Sequence, residues 1–311
     1  MTSKIEYAFF RLLAWLVRPL SPRGAQRVGA GLGLATLVLT GYRKKVARDN
    51  IAHAFPELPA EQRERIMRGA YRNYGIALVE MLWTYGQGPD VLAPLVRIEN
   101  PDLLDQALGR GKGVILLSAH YGSWELLLSS VRLHIPVRVT AIAQRQRNEY
   151  VDAHIDMRRR RFDTVTVPMG PAVREVLIAL QRNEVVLILG DQSGPKESIF
   201  IPFFGRPSAT HRGAAAFALR TGAAMLALFL VRQTDGTYRG AFEEVDTSAL
   251  TGSREDQVVE LTTRHAAVLE RAIRRHPDHW LWMHKRWKHT PYYEALCQTA
   301  TAQIPSPKAM P

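Results

Sequence analysis

His120 and Glu125 are the two residues of this sequence whose types and spacing point most directly to acid–base chemistry. Four residues, including Gly122, separate them, and the uninterrupted apolar run 114–117 comes shortly before them. An imidazole can take a proton near neutral pH, and a carboxylate that holds one ring nitrogen leaves the other nitrogen available for this. The spacing therefore predicts that Glu125 orients His120 and that His120 is a general base.

The sequence lacks the usual signatures of an enzyme nucleophile and of a metal site. Residues 121–125 do not form the Gly-x-Ser-x-Gly pattern of serine hydrolases, and the single cysteine, Cys297, has no local partner pattern. One cysteine also excludes an internal disulfide and a Cys-cluster zinc site, and the histidines at 276–289 lack ligand spacing. We therefore expect no metal, and direct attack by a hydroxyl group of the substrate.

The elements that must position these side chains alternate between short apolar runs and helical patterns. Strands are predicted at 113–118, 137–143, 164–167, 184–189, 224–231 and 238–245. Helices are predicted at 59–83, 124–131, 172–182, 213–220 and 255–275. The alternation predicts an α/β domain over 49–291 with a mixed, largely parallel sheet flanked by helices. Chemistry in such sheets lies at the carboxyl ends of strands, where His120, Asp191 and Gln192 are placed.

The N-terminal segment 1–48 is predicted to be a hydrophobic, basic, helical membrane anchor. The apolar run 7–20 contains two arginines and is short for a span, but its periodicity indicates an amphipathic helix. The run 28–42 carries no charge, and basic residues follow it at 43–48, as expected at a cytoplasmic membrane face. The alternative is that both runs are core helices of a soluble domain. At the other end, 292–311 is predicted to be a disordered tail.

The charge balance requires an anionic partner. The chain has 41 Lys and Arg against 29 Asp and Glu, a net charge of +12. Nucleic acid, an anionic membrane surface and an acidic protein are the candidate partners. Charge is concentrated beside apolar or aromatic stretches at 43–48, 158–161 and 285–288, and nucleic-acid-binding motifs are lacking. We therefore expect contacts with lipid phosphates or an acidic carrier protein at 158–161, and no nucleic acid. An interfacial aromatic and basic surface is expected at 280–288, with at least one of its tryptophans in the core.

Three blocks of the sequence together resemble the lipid A biosynthesis acyltransferase family. These blocks are the His120 and Glu125 pair after its apolar strand, the segment 190–205 (GDQSGPKESIFIPFFG) and the segment 280–288 (WLWMHKRWK). This family contains the late, or secondary, lauroyl and myristoyl transferases and is related to the phosphatidylinositol mannoside acyltransferases. The similarity extends from about residue 7 to residue 291.

The resemblance implies a glycerolipid-acyltransferase-like fold at the cytoplasmic face of the inner membrane. It implies transfer of a fatty acyl chain from acyl carrier protein or acyl-CoA to a hydroxyl of an anionic membrane glycolipid, with no other cofactor. A lipid A precursor is the favoured acceptor, and a lysophospholipid or a phosphatidylinositol mannoside is the alternative. A basic nucleic-acid- or membrane-binding protein without catalysis is the alternative from a different class.

The resemblance also implies roles for individual residues. Glu125 would polarise His120, which would take the proton from the acceptor hydroxyl without a covalent enzyme intermediate. The family usually has an arginine where this chain has Gln144, so Arg145 or Arg147 is the implied replacement in substrate binding. Asp191 and Gln192 match the family's aspartate block and are the remaining implied substrate-site residues.

Overall fold

The structure is a computed structural model that describes residues 2–169 and 172–302. Its helices, in chain order, are α1 (Thr2–Val17), α2 (Pro22–Ala35), α3 (Lys44–Ala54), α4 (Ala60–Thr84), α5 (Pro89–Leu92), α6 (Asp102–Leu108), α7 (Trp124–His134), α8 (Glu149–Arg160), α9 (Ala172–Gln181), α10 (Gly213–Thr221), α11 (Arg254–Arg275) and α12 (Thr290–Ala302). Its strands are β1 (Val96–Ile98), β2 (Val114–Ser118), β3 (Val139–Ala143), β4 (Thr164–Pro168), β5 (Val185–Leu189), β6 (Ile199–Phe203), β7 (Arg206–Thr210), β8 (Ala224–Ala227), β9 (Val231–Arg232), β10 (Tyr238–Gly240) and β11 (Glu243–Glu244).

A six-stranded sheet with the order β11-β8-β2-β5-β3-β4 forms the centre of the molecule. Its strands β8, β2, β5, β3 and β4 are parallel, and β11 joins one edge antiparallel to β8. A three-stranded sheet (β1-β10-β9) and the hairpin β6-β7 lie outside it. The prediction of a mixed, largely parallel sheet flanked by helices is confirmed.

Strand β2 is apolar from Val114 to Leu117 because helices cover both faces of the sheet. Its residues Val114 and Leu116 belong to the same core cluster as the apolar side chains of α7, on one face. Ile115 and Leu117 belong to the cluster formed with α9, α10 and α11 on the other face. Alternate side chains of a strand point to opposite faces, so a strand buried between two helical layers has no polar side.

Two of the predicted strands are each divided between two sheets. The predicted strand 224–231 becomes β8 in the central sheet and β9 in the three-stranded sheet, and 238–245 becomes β10 and β11 in the same way. Leu228 and Leu230 between β8 and β9 are fully buried. The apolar pattern therefore continues across the point where the chain changes sheets, and the sequence carries no sign of the division.

Helix α2 packs closely on α4 through glycines. A Cβ atom added at Gly33 would lie 2.0 Å from the carbonyl oxygen of Tyr71, and one at Gly75 would lie 2.2 Å from the carbonyl oxygen of Gly29. The π-helical turn Thr36–Thr40 continues α2, and there Val38 and Leu39 are 72% and 82% exposed. The predicted anchor segment thus has one face packed on α4 and another exposed.

None of the helices that the described residues form has the length and apolarity needed to span a membrane. The membrane anchor and the boundary after residue 48 therefore stay predictions. Residues 292–302, expected to be a disordered tail, are helical in α12, where the ring of Tyr293 stacks on Phe200 at 4.5 Å. The remaining tail residues, 303–311, lie outside the described residues.

Candidate active site

His120 and Asp191 meet at the carboxyl ends of the neighbouring parallel strands β2 and β5. Ser118 lies opposite Leu189 in the register, and His120 and Asp191 each follow two positions later, so they leave the sheet side by side. The Nδ1 atom of His120 lies 2.9 Å from Oδ1 of Asp191. The other carboxylate oxygen, Oδ2, accepts a hydrogen bond from the indole Nε1 of Trp280 at 3.0 Å.

The protonation of this pair is set by opposing effects. Burial alone would lower the pKa of His120, but the charge and hydrogen bond of Asp191 and the charge of Glu125 outweigh it and raise that pKa. Burial would raise the pKa of Asp191, yet His120 and Trp280 favour its charged form and lower it. An ionised carboxylate only accepts hydrogen bonds, so the proton of the neutral imidazole lies on Nδ1 and Nε2 has a free lone pair. The His120 side chain is 22% exposed, which leaves it accessible.

Glu125 is not the partner of the His120 ring, and the predicted contact between them is wrong. Glu125 is buried in the first turn of α7, where its two carboxylate oxygens accept hydrogen bonds from Nε and Nη2 of Arg159 at 2.8 and 2.9 Å. The hydroxyl of Tyr85 donates to the same carboxylate at 3.1 Å. The planar fork of an arginine matches both oxygens of a carboxylate, so Arg159 binds Glu125 while Asp191, from the adjacent strand, holds the histidine.

The neighbours of Glu125 are held in one charge state. Burial by itself would lower the pKa of Arg159, but the charge and hydrogen bonds of Glu125 reverse this and raise it. Burial and the charge of Glu125 raise the pKa of Tyr85 well above its usual value. Arg159 is therefore a cation and Tyr85 a neutral hydrogen-bond donor at physiological pH. Together they tie the start of α7 to α8 and α4.

A tight turn directly after His120 brings the N-terminus of α7 beside the imidazole. Gly122 adopts a φ of +53°, and its backbone N–H donates to the carbonyl oxygen of His279 at 2.9 Å. A Cβ atom at this position would lie 2.3 Å from the carbonyl oxygen of Leu230, so a side chain does not fit. The ring of Trp124, the first residue of α7, lies 5.3 Å from the His120 ring.

Gln192 and His284 complete the surroundings of the imidazole. The side-chain nitrogen of Gln192 lies 3.4 Å from Nε2 of His120. Nε2 of His284 accepts a hydrogen bond from the backbone N–H of Ser193 at 3.2 Å. Burial lowers the pKa of His284 to about 4, with Asp191 opposing the shift and the nearby positive charges adding to it, so this ring is a neutral acceptor. The structure thus brings His120, Asp191 and Gln192 together as the sequence predicts and adds His284.

The segment 280–288 is largely internal, so the prediction that it forms an interfacial surface is wrong. Trp280, Trp282 and Trp287 are 1%, 0% and 6% exposed. Arg286 is 1% exposed and donates to two backbone carbonyl oxygens, at 3.1 and 2.9 Å, and to a threonine hydroxyl at 2.7 Å. Its guanidinium also lies over a phenylalanine ring, 5.1 Å from the centroid. Basic and aromatic residues alternate here because the guanidinium is held inside the protein through Nη1 and Nη2, while its buried Nε has no hydrogen-bond partner among the described residues.

Arg145 and Arg147 lie on the loop between β3 and α8, and both are exposed. Arg145 lines a cleft of about 710 Å³, which Arg159 and Gln144 also line. Among the hydrogen bonds and ion pairs of the described residues, neither Arg145 nor Arg147 contacts His120. Their predicted role in substrate binding stays a prediction.

Four residues of this site are not predicted from the sequence. Arg159 is one of four consecutive arginines, Tyr85 belongs to no motif, and the sequence pattern places Trp280 and Arg286 at a surface. The signal for the last two was present, because they belong to one of the three sequence blocks of the family resemblance. No local signal marks Tyr85, whose partner Glu125 is 40 residues further along the chain.

Comparisons with known proteins give matches over most of the chain. The profile of the family described as bacterial lipid A biosynthesis acyltransferase matches residues 3–289. The lipid A biosynthesis palmitoleoyltransferase of Escherichia coli strain K12 is 30% identical over 275 residues, which cover 86% of each protein. The lipid A biosynthesis lauroyltransferase of the same strain is 24% identical over 283 residues, 89% of each. The phosphatidylinositol mannoside acyltransferase of Mycolicibacterium smegmatis is 24% identical over 277 residues, 88% of each.

Proposed function

The chain belongs to the bacterial lipid A biosynthesis acyltransferase family, and we propose that it esterifies a hydroxyl group of a lipid A precursor by general-base catalysis at His120. The family assignment confirms the resemblance of the three sequence blocks and makes the protein an acyltransferase that uses a glycolipid acceptor. The observation that carries the proposed mechanism is the hydrogen bond between His120 and the ionised Asp191, which places the lone pair of the imidazole on Nε2.

The proposed reaction needs one base and no enzyme nucleophile. Nε2 of His120 takes the proton of the acceptor hydroxyl as its oxygen attacks the carbonyl carbon of an acyl thioester. The tetrahedral intermediate then collapses, the C–S bond breaks, and the imidazolium returns its proton to the leaving thiolate. The products are an ester and a free thiol. Asp191 stabilises the imidazolium and fixes the ring without taking the proton itself.

Backbone N–H groups at the start of α7 are the proposed donors to the oxyanion. The first four N–H groups of a helix have no carbonyl partner within it, and they carry the positive end of the helix dipole. Helix α7 begins at Trp124, just after the turn that follows His120. Donors placed at developing negative charge typically contribute a few kcal/mol each to catalysis. In this proposal the Glu125–Arg159 pair is a positioning device that fixes the beginning of α7.

The position of the acceptor is proposed from the exposed face of α1. Five large apolar side chains of this helix are between 49% and 68% exposed, namely Ile5, Phe9, Leu12, Trp15 and Leu16. An amphipathic helix with such a face binds at the boundary between lipid headgroups and acyl chains. We place α1 there, at the cytoplasmic face of the inner membrane, so that the acceptor glycolipid enters from the bilayer while the thioester donor arrives from solution.

The test is an acyl-transfer assay on the full-length enzyme with acyl carrier protein and coenzyme A thioesters as donors. A lipid A precursor, a phosphatidylinositol mannoside and a lysophospholipid are offered as acceptors, and the products are identified by mass spectrometry. We expect acylation of the lipid A precursor, and a rate about 10²- to 10⁴-fold lower for His120→Ala because the base is lost.

The matched control for this assay is His134→Ala, which removes an exposed imidazole at the far end of α7 and should leave the rate unchanged. A wild-type rate for His120→Ala would refute the catalytic role. Acylation of the phosphatidylinositol mannoside alone would refute the proposed acceptor while leaving the mechanism intact.

A further inference from the structure

Four arginines converge on a cavity between α1 and α8 that lies outside the His120 site. The cavity has a volume of about 560 Å³, and Arg11, Arg18, Arg158 and Arg161 line it. No acidic residue is among the described residues that line it. Its one other titratable base, His154, has a pKa lowered by burial and then by Arg158 and Arg11, so this ring adds no further positive charge.

The four arginines at 158–161 differ in whether they form an ion pair with a carboxylate. Arg159 pairs with Glu125 and Arg160 pairs with Asp156. Arg158 and Arg161, which line the cavity, take part in no ion pair with a described residue. The same holds for Arg11 on α1 and for Arg18, which directly follows the end of α1. The cationic side chains directed at this cavity are thus the ones without a carboxylate.

The surroundings of Arg158 disfavour its positive charge. Its Nε atom is buried and has no hydrogen-bond partner among the described residues. Burial, together with the charges of Arg161, Arg18 and Arg11, lowers its pKa. Leaving a charged donor buried and unpaired is costly, and so is holding several like charges around one space. An anion in the cavity would offset the repulsion between these like charges.

We propose that this cavity binds the phosphate group of a membrane lipid headgroup, with Arg11, Arg18, Arg158 and Arg161 as its donors. A phosphate offers several acceptor oxygens, and guanidinium groups bind such oxygens through paired hydrogen bonds. Two residues on the rim identify the ligand as a lipid. Leu12 and Trp15 line the same cavity and are 49% and 68% exposed, so an apolar strip begins where the basic cluster ends.

A lipid is favoured over an acidic protein because the basic cluster adjoins the exposed apolar face of one helix, α1. Phe9 and Leu16 extend the apolar strip along α1, where acyl chains attached to a bound headgroup would lie. The inference rests on the proposed position of α1 at a membrane surface, but it does not depend on catalysis at His120. The cavity also borders the Glu125 pair, because Tyr85 lines the cavity and donates to Glu125.

The test uses water-soluble lipids, which separate headgroup binding from attachment to a bilayer. Dihexanoyl phosphatidic acid, dihexanoyl phosphatidylcholine and inorganic phosphate are each titrated below their micellar concentrations into the full-length enzyme by calorimetry. We expect phosphatidic acid to bind more tightly than both other probes. Arg158→Gln should weaken that binding about tenfold, the effect of losing one charge-assisted hydrogen bond.

The matched control is Arg174→Gln, which removes an exposed arginine of α9 and should leave the affinity unchanged. Arg158→Lys should retain part of the binding, because it keeps the charge without the fork. In the absence of lipid, Arg158→Gln should not lower the melting temperature, whereas a purely structural role for Arg158 would lower it.

Three results would overturn the proposal. These are equal affinity in Arg158→Gln and Arg174→Gln, inorganic phosphate that binds as tightly as phosphatidic acid, and loss of binding to acyl carrier protein but not to lipid in Arg158→Gln. The experiment is independent of acyl transfer, since His120→Ala must bind phosphatidic acid like the wild type. Failure of the catalytic proposal and failure of this one are therefore distinguishable.

Discussion

At His120, two carboxylates influence the charge of one imidazole, and they differ in their own partners. One carboxylate oxygen of Asp191 lies 2.9 Å from the Nδ1 atom of the ring, and the other accepts a hydrogen bond from the indole of Trp280. Glu125 acts on the ring through charge alone, and its two oxygens are bound by Arg159. Because a paired charge has a weaker field at a distance than an unpaired one, Asp191 dominates the basicity of His120. In the proposed mechanism the general base is therefore a His–Asp pair, with Glu125 in a supporting position.

Asp191→Asn is expected to move the acidic limb of the pH–rate profile to lower pH and to reduce the plateau rate about a hundredfold or more. A general base works when it is neutral, so the rate rises with pH and levels off above the pKa of His120. The charge of Asp191 raises that pKa, and an asparagine removes this effect. The measurement is kcat/KM for thioester cleavage as a function of pH, which reports the pKa of the free enzyme.

Asp163→Asn is the matched control for this prediction. The side chain of Asp163 is exposed, and its backbone φ of 49° is one that asparagine tolerates well. Asp163 lies at the amino end of β4, whereas the site lies at the carboxyl ends of the parallel strands. Its profile should coincide with that of the wild type. An unmoved acidic limb in Asp191→Asn would mean that His120 is not the group that titrates.

At the scale of the residue, the sequence predicts which side chains neighbouring strands bring together, but it does not predict which side chains are brought together by helices. His120, Asp191 and Gln192 follow adjacent parallel strands, so strand order and register alone place them side by side. The partner of Glu125 comes from a helix 34 residues away, and any of four consecutive arginines satisfies the pattern. The choice of Arg159 depends on the rotation of α8 against α7, which tertiary packing decides.

Among the elements, α2 shows how an apolar run can serve two surfaces. Glycines on one side allow its backbone to approach α4, and exposed apolar residues such as Leu32 occupy another side. A hydropathy value for this segment includes the residues on both faces of the helix and therefore predicts a membrane anchor. Only the positions of the glycines relative to the helical repeat separate a helix–helix interface from a lipid-facing surface.

Gly33→Ala is expected to destabilise the protein by about 1–3 kcal/mol, because the added methyl group would meet a backbone atom that has no room to move. Its Cβ would lie 2.0 Å from the carbonyl oxygen of Tyr71, so α2 and α4 would have to separate. The measurement is the change in melting temperature or in the free energy of unfolding.

Gly31→Ala provides a control of opposite sign in the same helix. A Cβ at Gly31 meets no atom within 4 Å, and the residue is exposed. An alanine in an exposed helical position is about 0.5–1 kcal/mol more favourable than a glycine, so this variant should be more stable than the wild type. Equal effects of the two substitutions would contradict close packing between α2 and α4.

At the scale of the whole molecule, the distribution of the net charge of +12 affects how the protein would be oriented at a membrane. Four arginines without carboxylate partners surround one cavity next to the exposed apolar strip of α1. By contrast, the arginine of the 280–288 segment is buried and donates through Nη1 and Nη2 to carbonyl and hydroxyl oxygens inside the protein. A protein with cations and apolar side chains on one side is held at an anionic membrane by both forces, and only the electrostatic one is weakened by salt.

The double variant Phe9→Ser with Leu16→Ser is expected to reduce the partition onto anionic vesicles about tenfold or more. Both side chains are more than half exposed and neither lines the arginine cavity, so their loss removes apolar burial in the membrane without changing the charge. Burying a large apolar side chain contributes about 1.5–3 kcal/mol, of which half-exposed residues provide a part. The measurement is vesicle co-sedimentation at low and high salt.

The matched control is Val173→Ser with Leu296→Ser, two side chains that are each 50% exposed on α9 and α12. This pair loses a comparable exposed apolar surface at positions that the proposal places away from the membrane, so its partition should equal that of the wild type. At high salt the electrostatic attraction is screened, and the difference between the two double variants should then increase relative to the remaining binding. Equal partition of both double variants at every salt concentration would rule out α1 as the membrane-binding face. The reason is that the two double variants differ only in whether apolar side chains of α1 can be buried in the membrane.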